Sequence, residues 1–168
     1  PMDYLTHNLI TQHFMQTGGK RISIRAGKGY MSPLFLPYLP AMLNGLNAFF
    51  TNESQIRNLF SEKRFNTVGD MARQVMDWGV EIVVIQLDDY TNSLFAEGGR
   101  ENCQLAPYPV TIKNKTGIKD SFCGGFIGNL SKSYNASKAL VSGMTAASFA
   151  MEANQPYYAT DIIEGLFS

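Results

Sequence analysis

Ile82-Val83-Val84-Ile85 is a run of four β-branched residues with no polar break, flanked by Glu81 and by Gln86-Leu87-Asp88. A strand exposed on one face would alternate apolar and polar side chains, so an unbroken run predicts a strand buried on both faces. Val68 to Trp78, just upstream, spaces Met71, Val75, Met76 and Trp78 at helical intervals. Before that stand the short strand Ala48 to Thr51 and the short helix Glu53 to Phe60. Strand, helix and strand in this order predict parallel βαβ units, with helices packed on a mostly parallel sheet.

The segments around this centre read similarly. Leu5 to Gln16 is predicted as a helix stopped by Gly18-Gly19, followed by the strand Arg21 to Ile24. Leu34 to Leu46 is a second helical segment, whose regular part Pro37 and Pro40 confine to its end. Ser93 to Ala96 and Cys103 to Leu105 are predicted to form a hairpin around Glu97-Gly98-Gly99-Arg100. Pro107-Tyr108-Pro109 leads to a further strand at Val110 to Ile112 and then a glycine turn. Helices near Ser121–Leu130 and Ala136–Met151 follow, the second with Ala136, Ala139, Leu140, Gly143, Met144 and Ala147 on one face. Residues 1–168 are expected to form a single domain.

Fourteen basic and fourteen acidic residues cancel, so no bulk field favours nucleic acid or an anionic membrane. No apolar run reaches the ~18 residues of a membrane span. Without a basic-then-apolar leader at its start, the chain is expected to be cytoplasmic. Cys103 and Cys123 match no metal-site spacing, and His7 and His13 are six apart, off a shared helix face, so no metal site is expected from these side chains. Gly27-Lys28-Gly29 is too short for a dinucleotide fingerprint.

Thr116-Gly117-Ile118-Lys119-Asp120-Ser121-Phe122-Cys123-Gly124-Gly125-Phe126 carries the chemistry. A glycine turn delivers one aspartate to the start of a small-residue, apolar helix, where unpaired amides attract anions and a carboxylate can take a proton. Beside Ser121, Asp120 also has the position of an ordinary N-cap. The run resembles the Gly-Ala-Gly-Asp signature of the ribokinase/PfkB carbohydrate and nucleoside kinases, usually followed by Ser/Ala-Phe-x-Gly-Gly-Phe. Ile118 and Lys119 stand in place of its alanine and second glycine, and Asn114 in place of the aspartate that often begins it. Asn52-Glu53-Ser54-Gln55 resembles that family's Asn-x-x-Glu, and Ile82 to Leu87 its strand ahead of a glycine-bearing nucleotide loop. The similarity covers essentially the whole chain, in the order of the family's C-terminal half.

That resemblance implies a three-layer α/β/α ribokinase-like sandwich lacking the N-terminal half and the β lid. It implies an ATP- and Mg²⁺-dependent transfer of phosphate to the hydroxyl of a sugar or nucleoside. Asp120 would be the base, Gly117, Ile118 and Lys119 the anion hole, and Asn52, Gln55, Gln86 and Asp88 the nucleotide and metal side. Four departures weaken the inheritance. Lys119 brings a β-carbon where a phosphate approaches backbone, Gln55 lacks the carboxylate, Asp88 adds negative charge near a triphosphate, and Asn114 loses an acid. The fragment is therefore expected to be inactive alone, with weak ATP binding. The alternative is a non-catalytic binding domain of the same fold. A sheet cut in this way exposes an edge, to be covered by a missing N-terminal half or by self-association.

Overall fold

The computed structural model describes residues 3–18 and 21–153, in two compact units, residues 1–104 and 105–168. Gly19, half of the expected helix stop, lies outside the described residues.

The first unit begins with α1 (Tyr4–Gln16), capped by the Asp3 carboxylate, which accepts from the Thr6 N–H at 2.9 Å. Next come β1 (Ser23–Arg25), two 3-10 turns at Lys28–Tyr30 and Pro33–Phe35, and α2 (Leu39–Leu43). The two prolines do confine the regular helix to the end of its segment. β2 (Ala48–Asn52), α3 (Glu53–Leu59), α4 (Val68–Asp77) and β3 (Ile82–Gln86) follow at nearly the expected boundaries. β4 (Asn92–Ala96) and β5 (Glu101–Leu105) flank a turn at Glu97–Gly99.

These strands form one five-stranded sheet in the order β1-β2-β3-β4-β5. β1, β2 and β3 are mutually parallel, with Ile24 opposite Phe49 and Phe49 opposite Val83, whereas β4 runs antiparallel to β3. All five residues of β3 are buried, as its unbroken apolar run requires. One parity, with Ile24, Phe49, Val83 and Ile85, joins a core with Leu43, Ile56, Leu59, Met71 and Val75 of the helices. The other parity, with Ala48, Phe50, Ile82 and Val84, is buried too.

α1 is tied to its own unit by an unusual polar contact. Its His7 Nδ1 lies 2.6 Å from the hydroxyl of Tyr30, which is completely buried. Burial pushes the Tyr30 pKa up to about 12, so the hydroxyl keeps its proton. Burial also lowers the His7 pKa from the usual 6.5. A histidine whose folded pKa lies below its unfolded value stabilises the fold fully above the unfolded value. That contribution is lost as pH falls through the folded one.

The second unit holds α5 (Ile118–Ser133) and α6 (Ala136–Glu152). Ile118, Phe122, Phe126 and Leu130 recur every four residues and are buried, and so are the six residues expected on one face of α6. Tyr134, in left-handed conformation at φ 51°, ends α5, and Asn135 Oδ1 caps α6 by accepting from the Lys138 N–H at 2.8 Å. The helices cross at glycines. A β-carbon on Gly125 would lie 2.7 Å from the Ser142 carbonyl oxygen, and one on Gly143 would lie 2.9 Å from that of Phe122.

Val110 to Ile112 is not a strand, contrary to the sequence expectation. Pro107 and Pro109 remove two ladder donors just before it. The chain is tied instead by the N–H groups of Lys113 and Asn114, which both donate to the Met151 carbonyl, at 2.8 and 3.2 Å.

Two outcomes are expected. Gly125→Ala should destabilise the protein by about 1–3 kcal/mol through overpacking, whereas Gly128→Ala, whose added carbon meets nothing within 4 Å, should be neutral or stabilise by up to about 1 kcal/mol; urea unfolding of both distinguishes them. Lowering the pH from 7.5 through the ordinary histidine value of about 6.5 should reduce stability in the wild type more than in His7→Gln, measured by the same titration at each pH.

Candidate functional site

In the first unit the candidate residues gather at the carboxyl ends of two adjacent parallel strands. Asn52 ends β2 and Gln86 ends β3, and they are register partners. In open α/β sheets this is the end at which ligands bind. Gln86 is buried, and two residues beyond it Asp88 lies exposed in the turn that leads to β4. That turn is closed by the Leu87 N–H donating to the Thr91 carbonyl at 2.8 Å and by Asp89, whose carboxylate accepts from the Thr91 N–H at 2.9 Å. The latter bond holds the Asp89 pKa below the ordinary carboxylate value. Asp89 thus has a turn-building role that explains it, and Asp88 is the neighbour turned to solvent.

Asn52 and Gln55 form a reciprocal cap on α3. Asn52 Oδ1 accepts from the Gln55 N–H at 2.8 Å, and Gln55 Oε1 accepts from the Asn52 N–H at 3.3 Å. The Thr51 hydroxyl also donates to Gln55 Oε1, at 3.3 Å. An Asn-x-x-Gln pattern after a strand is the sequence signature of this device, and glutamine serves in it as well as glutamate. Thr51, a participant that sequence reading overlooked, has no motif to betray it.

This geometry bears on Mg²⁺. A hard dication at this position needs anionic oxygen, and the pair offers none. Its two amide oxygens already accept the bonds just described. Asn52 and Gln55 therefore do not fit a Mg²⁺ site. Among the described residues no group of three or more His, Cys, Asp or Glu side chains converges on a metal-sized space.

In the second unit Gly117 is the N-cap of α5, in left-handed conformation at φ 82° and without a side-chain cap bond. The positive φ explains the glycine, since a β-carbon there is strained. Ile118, Lys119 and Asp120 then occupy the first turn, so Asp120 is the third helical residue and not the N-cap its neighbour Ser121 suggested. The first helical bond runs from the Ser121 N–H to the Gly117 carbonyl at 2.8 Å. Ile118 turns its side chain inward, and Lys119 and Asp120 are exposed. First-turn amides have no acceptor within a helix, and together with the helix dipole they favour an anion at this end. Chemically, the turn can hold a phosphate-like anion beside an exposed carboxylate.

The model of the pfkB family carbohydrate kinases matches residues 12–162. Among solved structures, ribokinase from Thermotoga maritima superposes with a TM-score of 0.73 at 20% identity, over 92% of this chain and 51% of its own. Arabidopsis thaliana ribokinase, solved with ribose and ATP, gives 0.73 at 18% identity, over 89% and 47%. Adenosine kinase from Schistosoma mansoni, solved with 2-fluoroadenosine, gives 0.75 at 18% identity, over 93% and 48%. The chain thus spans about half the length of each of these proteins. No curated protein matches it. Among the described residues no helix is long and apolar enough to cross a membrane.

The cap predicts separate outcomes for shape and charge. Asn52→Ala should cost about 0.5–2 kcal/mol of stability, while Gln55→Glu should leave the unfolding midpoint within about 0.5 kcal/mol of wild type, because the accepting oxygen is kept.

Proposed function

Because the chain belongs to the pfkB family of carbohydrate kinases, we propose that it is the nucleotide-side half of an ATP-dependent sugar or nucleoside kinase. The observation that carries this is the start of α5. A left-handed Gly117 opens a helix whose first turn presents Asp120 to solvent beside amides suited to a phosphate. In the reaction assigned to it, the Asp120 carboxylate takes the proton of an acceptor hydroxyl as that oxygen bonds to the γ-phosphorus of ATP. The bond from this phosphorus to the bridging oxygen breaks, releasing ADP. The amides of Gly117, Ile118 and Lys119 would stabilise charge on the transferring group. Asn52, Gln55, Gln86 and Asp88 would form the nucleotide side. ATP enters from the family, and Mg²⁺ has no carboxylate at position 55 to organise it.

A second reading has its own observation. Gln55 carries no charge, and its side-chain oxygen is given over to capping α3, which suits a domain retained for binding after catalysis has been lost. The two readings part on nucleotide affinity. Losing one charge-assisted contact costs roughly 1.5–3 kcal/mol, about ten- to hundredfold in Kd.

Calorimetry with ATP is therefore expected to show weak binding, insensitive to Mg²⁺. The triple variant Lys119→Gly, Gln55→Glu, Asp88→Gly should bind about ten- to hundredfold tighter and acquire Mg²⁺ dependence. Tight, Mg²⁺-dependent binding by the wild type would instead show that the replacements are harmless. No binding by either protein would remove the nucleotide from the reading. The chain alone should release no ADP in response to sugars, and acceptor-dependent release that Asp120→Asn abolishes would overturn that expectation.

A further inference from the structure

Three groups at the carboxyl ends of β2 and β3 hold a capacity for contact that the fold does not use. Gln86 ends β3 and is about nine-tenths buried, yet among the described residues its carboxamide makes no hydrogen bond. A buried carboxamide without partners has given up water for nothing in return. Its register partner Asn52 has Oδ1 fixed by the Gln55 N–H, which leaves Nδ2 directed away from the cap. That nitrogen also makes no bond among the described residues.

The third group is Tyr90, in the turn that leads from β3 to β4. Its backbone is left-handed at φ 65°, a conformation in which a bulky residue is an outlier and a glycine is not. The turn does not need the ring. Its bonds run from the Leu87 N–H to the Thr91 carbonyl, from the Tyr90 N–H to the Leu87 carbonyl at 3.1 Å, and from the Thr91 N–H to the Asp89 carboxylate. Glycine at position 90 would keep them all. Among the described residues the ring of Tyr90 meets no other ring, its hydroxyl makes no hydrogen bond, and it takes no part in the core packing. The strain therefore holds a half-buried aromatic side chain that the fold itself does not use.

An aromatic face together with a carboxamide suits a flat, uncharged heteroaromatic ring. Any base offers a face for stacking, and the donor and acceptor of a carboxamide match the amino group and ring nitrogen on the edge of adenine. A phosphate fits less well. Between Arg73 and Arg100 the chain has no lysine or arginine, and Asp88 stands exposed two residues after Gln86. A free sugar would satisfy the carboxamides but brings no flat ring to Tyr90.

We propose that the β3–β4 turn binds the purine base of a nucleotide, with the ring of Tyr90 stacked on the base and the Gln86 carboxamide reading its edge. Asn52 Nδ2 adds one donor. The inference rests on the reading of this end of the sheet as the nucleotide side, and it assigns that side the base instead of the phosphates. Tyr90 is then a specificity residue kept at the expense of stability.

The test is calorimetry on the 168-residue chain with adenosine, ATP, ribose and inorganic tripolyphosphate as separate probes. Adenosine is expected to saturate below about 1 mM and within about threefold of ATP, with ribose and tripolyphosphate at least about tenfold weaker. Tyr90→Gly should raise the urea midpoint by roughly 0.3 M while weakening adenosine about tenfold. Tyr90→Asn, which also tolerates the left-handed backbone, should weaken adenosine equally. Gln86→Met, close in shape but without the amide, should weaken adenosine about tenfold and leave the midpoint at or above that of wild type. A gain in stability with a loss of binding is the result that a merely structural tyrosine would not give. Adenosine binding unchanged in both Tyr90 variants, a lower midpoint in Tyr90→Gly, or ribose or tripolyphosphate binding as tightly as adenosine overturns the proposal. ATP binding without adenosine binding overturns it and leaves the nucleotide reading standing, whereas binding of neither overturns both.

Discussion

Parallel strands cannot be joined by tight turns. Each must be followed by a crossover long enough to carry the chain back to the starting end of the sheet. That constraint organises the first unit. Between β1 and β2 the return is made by two 3-10 turns and α2, and between β2 and β3 by α3 and α4. The core residues of these helices meet one face of the strands. Because all three strands run the same way, their carboxyl ends fall together, which is why Asn52 and Gln86, thirty-four positions apart, become register partners. The hairpin to β4 and β5 requires no such return, and the sheet turns antiparallel where the connection shortens.

Much of this was legible in the sequence because it depends on local pattern. The β-branched run at 82–85 gave away a doubly buried strand, and the spacing of Met71, Val75 and Met76 gave away a helical face. Pro37 marked where helix could not form, and Pro40, in the first turn of α2, where it could begin. What failed did so for a tertiary reason. Val110 to Ile112 has the composition of a strand, but a strand exists only beside a partner. The neighbouring amides of Lys113 and Asn114 are satisfied by the Met151 carbonyl at the end of α6, a contact distant in sequence and with no local signature.

The candidate site was partly legible. The glycine before Asp120 pointed to a helix start, but the residue-level role shifted. Gly117 is the N-cap through its backbone, and the aspartate stands three residues later, on the first turn. At Gln55 the reading by charge was incomplete. The side chain does lack a carboxylate, yet the same position closes a reciprocal cap in which a carboxamide is sufficient. Folding and chemistry thus make separate demands on one side chain, and only the folding demand is visible in its hydrogen bonds. Thr51 was beyond sequence reasoning, since a hydroxyl one residue before a cap has many uses.

The crossing of α5 and α6 has a consequence for how this part of the chain can vary. Gly125 sits against the Ser142 carbonyl, the α-carbon of Gly143 and the methyl of Ala146, and Gly143 sits against the Phe122 carbonyl. Three of these four contacts are to backbone, which cannot be trimmed by substitution. Trimming Ala146 or the Phe122 ring would relieve the side-chain contacts, but the carbonyls of Ser142 and Phe122 would still stand in the way of a larger residue. Compensation would require the helices to separate along their whole length. The two glycines are in this sense one inseparable pair, and variation is confined to positions such as Gly128, which face open space.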